Sequence, residues 1–243
     1  MTDILQRFSS DAQGGHPNRP PKDAATLILL DRSGPSPKVL MGKRHHGHVF
    51  LPNKFVFPGG SVDPADRKMT AGTPLDPRAE KKLMLHIRRP SAAKAQALAL
   101  AAIRETFEET GLFLGEKRGD APKAPPGPWS AFAEQNIHPD LSTVHFIARA
   151  ITPPRRSRRY DTRFFTADAT AIAHRIEGKV GPDAELVELV WLPLDGIKER
   201  IELLAITEIV LADLDKQIKE GFSHDLPVPF YRVKSGKRVR EFL

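Results

Sequence analysis

The chain has 243 residues, 40% hydrophobic and 28% charged, a composition typical of a folded protein with one domain or two small ones. The longest uncharged apolar stretches, Ala24–Leu30 and Ala95–Ile103, are much shorter than the roughly 18 residues of a membrane span. Cysteine is absent, which excludes thiolate ligands, so a metal would need oxygen or imidazole ligands. The net charge of +7 favours anionic partners such as phosphorylated metabolites or nucleic acid. Met1–Ser10 does not have the pattern of a signal peptide, so we expect a cytoplasmic protein without a membrane partner.

The first half of the chain begins with strand signals. Residues 1–22 are rich in glycine, proline and polar side chains towards their end, which predicts a flexible N-terminal arm. Ala24–Leu30 and Lys38–Lys43 have the length and composition of strands and predict a hairpin. Phe55–Phe57 predicts a third strand that leads directly into Gly59-Gly60, where the backbone is exposed by the loss of side chains.

A proline-rich segment, about residues 61–91, follows and has the features of an insertion, with one short helix predicted at Ala79–Ile87. Helix formers then dominate from about Ala92 to Thr110, and Gly111 is placed to end that helix in a left-handed conformation.

The second half alternates strands and helices, and residues 221–243 form an irregular basic tail that we expect to pack on or near the domain formed by residues 23–220. The mixture predicts an α/β fold in which helices cover both faces of a mixed sheet. The predicted strands are Ser142–Ile151, Arg163–Thr166 and Leu186–Leu192, and the predicted helices are Trp129–Asn136 and Ile197–Ile218.

The most informative string runs from Arg104 to Gly111. At 100° per residue, Glu105, Glu108 and Glu109 lie within about 100° of one another on the helix, opposite an apolar face. Their mutual repulsion would raise their pKa values unless a cation lay among them, and Mg²⁺ and Mn²⁺ prefer such oxygen ligands. The alternative for three glutamates alone is a solvated acidic helix face.

This string resembles the signature of the Nudix hydrolases: Gly, five residues, Glu, seven residues, then Arg-Glu-U-x-Glu-Glu-x-Gly-U, where U is aliphatic. Gly60 would open the signature and Arg104–Leu112 would close it. Asp66 stands in place of the first Glu, Thr106 replaces an aliphatic residue, and about 30 residues are inserted. An insertion at this point is similar to the branch that contains the peroxisomal coenzyme A diphosphatases and their bacterial relatives.

The resemblance implies an α/β/α sandwich around a mixed sheet and metal-dependent hydrolysis of a diphosphate linkage in a nucleotide-linked metabolite. Carried over by position, Glu105, Glu108 and Glu109 would hold Mg²⁺ or Mn²⁺, with the carbonyl of Gly60 as a further ligand. Arg104 would orient the glutamates.

The general base varies within this family. Glu105 is one candidate, and Glu185 and Glu188, which lie shortly before Trp191 where some relatives supply a late glutamate, are others. We carry Glu105, Arg104 and Glu188 forward as the predicted catalytic residues.

Relatives that cleave coenzyme A carry a further motif before the signature. Leu40–Arg44 and Phe57–Gly60 match its two ends, whereas His45, Val49 and Asn53 do not match its middle. Coenzyme A or acyl-coenzyme A is therefore the favoured substrate within the class, and Arg44 a predicted substrate ligand.

The densest basic cluster lies at residues 155–163. Arg159 and Arg163 belong to the string Arg-Tyr-Asp-Thr-Arg-Phe-Phe, which is similar to a segment common in this branch. Guanidinium groups suit bidentate contacts with phosphate, so both are predicted to bind substrate.

Two other functions remain open. Asp66, Thr106 and the interrupted signature are compatible with a noncatalytic nucleotide-binding module, and the basic charge with a diphosphatase acting on RNA ends. We favour a small-molecule partner over nucleic acid because the basic clusters are short and lack interleaved aromatic residues. The resemblance also raises the expectation of a homodimer.

Overall fold

The computed structural model describes residues 16–45, residue 47 and residues 54–243, and its central element is a large mixed β-sheet. The strands are β1 (Lys22–Asp31), β2 (Lys38–Arg44), β3 (Phe55–Val56), β4 (Gly59–Ser61), β5 (Leu112–Leu114), β6 (Glu116–Lys117), β7 (Ile137–His138), β8 (His145–Ile151), β9 (Tyr160–Asp168), β10 (Ile172–Arg175), β11 (Leu186–Pro193), β12 (Pro229–Lys234) and β13 (Lys237–Phe242). The α-helices are α1 (Pro77–Leu83), α2 (Ala92–Thr110), α3 (Ser130–Glu134), α4 (Ile197–Arg200) and α5 (Ala205–Lys219).

The main sheet has the strand order β11-β2-β1-β9-β8-β12-β13. Strand β1 is antiparallel to β2 and parallel to β9, and β12 is parallel to β8, so the sheet is mixed as the sequence predicts. The pairing of β1 with β2, with Leu30 opposite Val39, confirms the predicted hairpin.

The two faces of the sheet carry two hydrophobic clusters because side chains alternate along each strand. On β1, Leu27 and Leu29 belong to the cluster that packs against α2, whereas Ile28 and Leu30 belong to the cluster that packs against α5. The predicted sandwich of helices around a mixed sheet is confirmed.

Strands β3 and β4 fill a wedge between β1 and β2. Strand β4 pairs with β1, with Gly60 opposite Ala25, while β3 pairs with β2, with Val56 opposite Gly42. This wedge brings the glycine pair against the C-terminal half of α2 and so forms the floor of the site described below.

The C-terminal segment differs from the expected irregular tail. Strands β12 and β13 form a hairpin that extends the main sheet, joined by Ser235 and Gly236, both of which have positive φ. A serine–glycine pair between segments with β-branched and aromatic residues is a hairpin signal, which the sequence analysis passed over.

Two other expectations need qualification. The predicted helix Ile197–Ile218 is two helices, α4 and α5, interrupted at residues 201–204. Most of the expected N-terminal arm, residues 1–15, lies outside the described residues, and β1 already begins at Lys22. Among the described residues, no helix combines the length and the apolarity needed to cross a membrane.

Candidate active site

Helix α2 supplies the glutamates and is held firmly at both ends. The side chain of Ser91 caps its first turn by accepting a hydrogen bond from the backbone N–H of Lys94. Gly111 ends it in the left-handed region with φ of 75°, where an added Cβ would lie 2.1 Å from the carbonyl oxygen of Ile176. The left-handed end at Gly111 was expected from the sequence, whereas the Ser91 cap and the close approach to Ile176 were not; the close approach makes glycine obligatory at position 111.

The helix is not a solvated acidic face, because most of its second half is buried. Arg104 and Glu109 are only 6% and 7% exposed, and Thr106 is fully buried. The hydroxyl of Thr106 donates to the carbonyl oxygen of Ala102 at 2.8 Å, so this departure from the Nudix signature is satisfied within the helix.

Arg104 lies at the centre of an ion-pair network. Its Nε and Nη2 atoms donate to the two carboxylate oxygens of Asp66 at 2.8 and 3.1 Å. Its Nη1 atom donates to Glu105 at 2.9 Å and to Glu108 at 2.7 Å. Asp66, the residue in place of the first signature glutamate, therefore anchors the arginine that contacts two of the three helix glutamates.

The carboxylate of Asp66 is fully buried and satisfied by further donors. It lies in a short 3₁₀ turn, Pro64–Arg67, and accepts a hydrogen bond from the backbone N–H of Asp63 at 2.8 Å. The indole Nε1–H of Trp129 also donates to it, at 3.0 Å. The segment that separates Gly60 from Arg104 thus begins with a turn that places the aspartate under the helix.

A cleft of about 430 Å³ opens beside the other flank of α2. Glu105 and Glu109 line it together with Gly59 and Gly60 of β4 and with Glu185, from the loop before β11. An added Cβ at Gly60 would lie 2.5 Å from the carboxylate carbon of Glu105, so the glycine allows the glutamate to rest against the strand. The sequence analysis placed Gly60 and these helix glutamates together, and the structure brings them to the same cleft.

The cleft disfavours negative charge on its own glutamates. Burial, and then the nearby carboxylates of Glu185 and Glu105, raise the pKa of Glu109 well above its ordinary value, although Arg44 and the backbone N–H of Gly59 act in the opposite direction. Burial also raises the pKa of Glu105, against the opposing effect of Arg104. In the absence of a cation, these carboxylates are therefore poorly compensated.

This donor set suits a hard divalent cation. The carboxylates of Glu105, Glu109 and Glu185 and the backbone carbonyl of Gly60, which also lines the cleft, are oxygen ligands of the kind that Mg²⁺ and Mn²⁺ prefer. Within the described part of the chain, no three acidic or histidine side chains are already gathered around one point as ligands. The cleft residues therefore fit such an ion, which would compensate the ionised forms of Glu105 and Glu109 that burial disfavours.

Two predicted glutamates lie elsewhere. The carboxylate of Glu108 contacts Arg104, and its side chain, 37% exposed, is not part of the cleft lining. Glu188 is exposed on β11, opposite Lys43 of β2, and is also outside the lining. Glu185 lies in the cleft instead, where it accepts a hydrogen bond from Nη2 of Arg44 at 2.7 Å.

The structure also places the predicted substrate-binding arginines differently from the expectation. Arg44 lines the cleft as expected, but Arg163 is fully buried on the other face of β9, where Nη1 donates to Asp23 at 2.7 Å. Arg159 binds the carbonyl oxygen of Thr152 at 3.1 Å and is not in the lining. Arg158, which the sequence analysis did not select, lines the cleft.

Strand alternation explains this result. Residues 160, 162 and 164 of β9 line the cleft, so residues 161 and 163 must point to the opposite face of the sheet. The period of two along a predicted strand was the signal that could have excluded Arg163. The remaining wall, which sequence reasoning missed, comes from the start of α5 and consists of Leu204, Ile206 and Thr207.

Comparisons with known proteins agree with the fold. No family model matches the sequence. The chain is 28% identical over 156 residues to a Caenorhabditis elegans protein that bears the name nudix hydrolase 7, a match covering 59% of this chain and 43% of that protein. It thus spans less than half of that relative. The crystal structure of a NUDIX hydrolase from Alicyclobacillus acidocaldarius is 29% identical, with a TM-score of 0.55, and the match covers 78% of this chain and 84% of that one. The chain is thus similar to these Nudix hydrolases in sequence over the matched regions and, for the crystal structure, in fold.

Proposed function

We propose that the protein is a Mg²⁺- or Mn²⁺-dependent hydrolase of a diphosphate linkage in a nucleotide-linked metabolite. The observation that carries this proposal is the cleft in which Glu105, Glu109 and Glu185 meet the glycine pair of β4. Three carboxylates in one partly buried cleft would repel a diphosphate unless a cation lay between them. A bound divalent ion supplies charge neutralisation on phosphate and lowers the pKa of water.

The chain's own residues then have distinct roles. Glu105, Glu109 and the carbonyl of Gly60 hold the ion, and Arg104 fixes the orientation of Glu105 through the 2.9 Å contact. We assign the late carboxylate to Glu185 in place of Glu188, because only Glu185 lines the cleft. Glu108 is a weaker candidate for a ligand because, unlike Glu105, it does not line the cleft.

Within this class we propose coenzyme A or acyl-coenzyme A as the substrate. The two ends of the sequence motif similar to that of coenzyme A-cleaving relatives, at Arg44 and at Gly59-Gly60, both contribute to the lining of the cleft. Arg158 adds a second guanidinium to the same lining and suits a phosphate. Two of the three middle positions of the motif, Val49 and Asn53, lie outside the described residues.

The test is release of phosphorylated products from coenzyme A, acyl-coenzyme A, NADH, ADP-ribose, nucleotide sugars, nucleoside triphosphates and capped RNA, with Mg²⁺, Mn²⁺ or chelator. We expect metal-dependent cleavage of coenzyme A substrates. Cleavage of another metabolite would retain the hydrolase and replace the substrate, and cleavage of capped RNA alone would favour the RNA-end alternative. Tight nucleotide binding with no hydrolysis by folded protein would identify a noncatalytic module.

Three glutamate variants, one of them a control, test the residue assignments. Glu109→Gln should abolish turnover and Glu185→Gln should lower it strongly, because each removes a cleft carboxylate. Glu188→Gln makes the same chemical change three residues beyond Glu185, at an exposed position, and should leave turnover unchanged. Equal losses in Glu185→Gln and Glu188→Gln would contradict the assignment of Glu185.

A further inference from the structure

Trp129 contacts the ion-pair network of Arg104 through Asp66. It precedes α3, lies 63 residues beyond Asp66 in the sequence, and is fully buried. Its indole Nε1–H donates to the same oxygen of Asp66 that accepts from Nε of Arg104. A buried indole with a single N–H donor directed at a catalytic ion-pair network does more than fill space.

The contacts form a continuous chain from the tryptophan to the cleft. Trp129 and the backbone N–H of Asp63 fix the carboxylate of Asp66, which pairs with Arg104 through two hydrogen bonds. Arg104 in turn donates to Glu105, which lines the cleft. We propose that Trp129 is a positioning residue for the reaction, which holds Glu105 in place through Asp66 and Arg104.

Because Asp66 is shorter than the glutamate of the signature, it needs the additional hydrogen bonds to hold its carboxylate in position. Asp66 stands where the signature has glutamate, so its carboxylate has one methylene less with which to reach the arginine. The 3₁₀ turn and the indole fix the carboxylate from two other directions. Asp66→Glu would therefore lower activity, although it restores the residue of the signature, because an added methylene has no room at a fully buried position.

The decisive variant keeps the shape of the side chain and removes only the donor. Site-specific replacement of Trp129 by benzothienylalanine exchanges the N–H for sulfur, and Trp129→Phe is its simpler counterpart. The proposal rests on the proposed hydrolase activity, so the readouts are kcat, KM and, independently of turnover, the affinity for Mn²⁺ measured by titration of the full chain. Partners that hydrogen-bond a metal ligand directly typically contribute about 10- to 100-fold, and Trp129 acts through two intervening residues, so we expect kcat and Mn²⁺ affinity to fall about 10-fold with little change in KM.

A buried aromatic neighbour provides the control. Phe132 packs on Trp129 with ring centroids 4.9 Å apart and is also fully buried, but it offers no polar group to Asp66. Phe132→Leu should lower the melting temperature while leaving kcat and Mn²⁺ affinity of the folded protein unchanged. A loss of kcat in Phe132→Leu equal to that in Trp129→Phe would reduce the tryptophan to a packing residue and overturn the proposal.

Two further outcomes separate this proposal from the proposed function. Wild-type kcat and Mn²⁺ affinity in the benzothienylalanine variant would overturn the positioning role while leaving the hydrolase intact. Wild-type protein that neither hydrolyses the panel nor binds Mn²⁺ would overturn both. If Trp129 acts through Arg104, its replacement should also cause no further loss of Mn²⁺ affinity in an Arg104→Ala background, whereas multiplying losses would refute that route.

Discussion

Asp66→Asn tests whether the buried ion pair with Arg104 stabilises the fold around the site. Donors from Asp63, Trp129 and Arg104 converge on both carboxylate oxygens, and the amide nitrogen of asparagine cannot accept a hydrogen bond. At least one donor would lose its acceptor at a position with no exposure to solvent, and Arg104 would lose the fully buried member of its three carboxylate partners. Breaking one partner of a buried pair costs about 3–5 kcal/mol, out of a total stability of roughly 5–15 kcal/mol for a typical protein.

The assay is urea unfolding of the metal-free full chain, with the slope m compared between variants to confirm that the same surface unfolds. For a chain of this size, the loss corresponds to a melting temperature lower by roughly 6–20 °C. Asp225→Asn is the matched control, since Asp225 also pairs with an arginine, Arg78, at 2.7 Å but has a side chain that is 70% exposed. It should cost at most about 1 kcal/mol. Equal costs for the two substitutions would refute the reasoning from burial.

Other features of the structure give three more predictions. Arg158→Ala should raise KM about tenfold, as expected for the loss of one charge-assisted hydrogen bond, whereas Arg159→Ala should not, because only Arg158 lines the cleft. Steady-state kinetics measures both values, and an equal rise in KM for the two variants would contradict the prediction. Gly60→Ala would place a methyl group 2.5 Å from a carboxylate and should lower kcat about 10- to 100-fold, while Gly34→Ala, with nothing within 4 Å of the new atom, should keep full activity. Burial and a neighbouring histidine lower the pKa of His145 from 6.5 to about 4. As the pH falls through this range the unfolded chain takes up a proton before the folded chain does, so the free energy of unfolding should decrease between pH 6.5 and about 4. His145→Phe should remove that part of the pH dependence in urea titrations, and an unchanged pH dependence would contradict this prediction.

The sequence predicted the parts of the fold that depend on local pattern. Helix α2, with Gly111 in the left-handed conformation, and the β1–β2 hairpin follow from composition, periodicity and turn residues. The break between α4 and α5 at residues 201–204 was not predicted, because that segment contains neither glycine nor proline and its separation depends on tertiary packing.

The site was predictable where residues are close in sequence and not where they meet through the fold. Glu105 and Glu109 lie on one helix, so the helical spacing of 100° per residue predicted from the sequence that they share a face. Glu185 and Trp129 approach α2 from distant segments, and no local period reports such contacts. The choice between Glu185 and Glu188 depends on where β11 begins, which is the least certain part of a sequence-based assignment.

The two flanks of α2 differ in how well the protein compensates their acidic side chains. On the flank that faces Asp66, Arg104 compensates the acidic side chains it contacts, so the helix is fixed at low electrostatic cost. On the flank that faces the cleft, burial raises the pKa of Glu109 and neighbouring carboxylates raise it further, so the protein does not fully compensate the ionised form of this side chain. A fold selected for stability alone would pair or remove those carboxylates, and sites that break such rules are the ones where function is expected. We therefore propose that the chemistry takes place on the flank that faces the cleft, and that the ion pairs on the flank that faces Asp66 keep the helix stable.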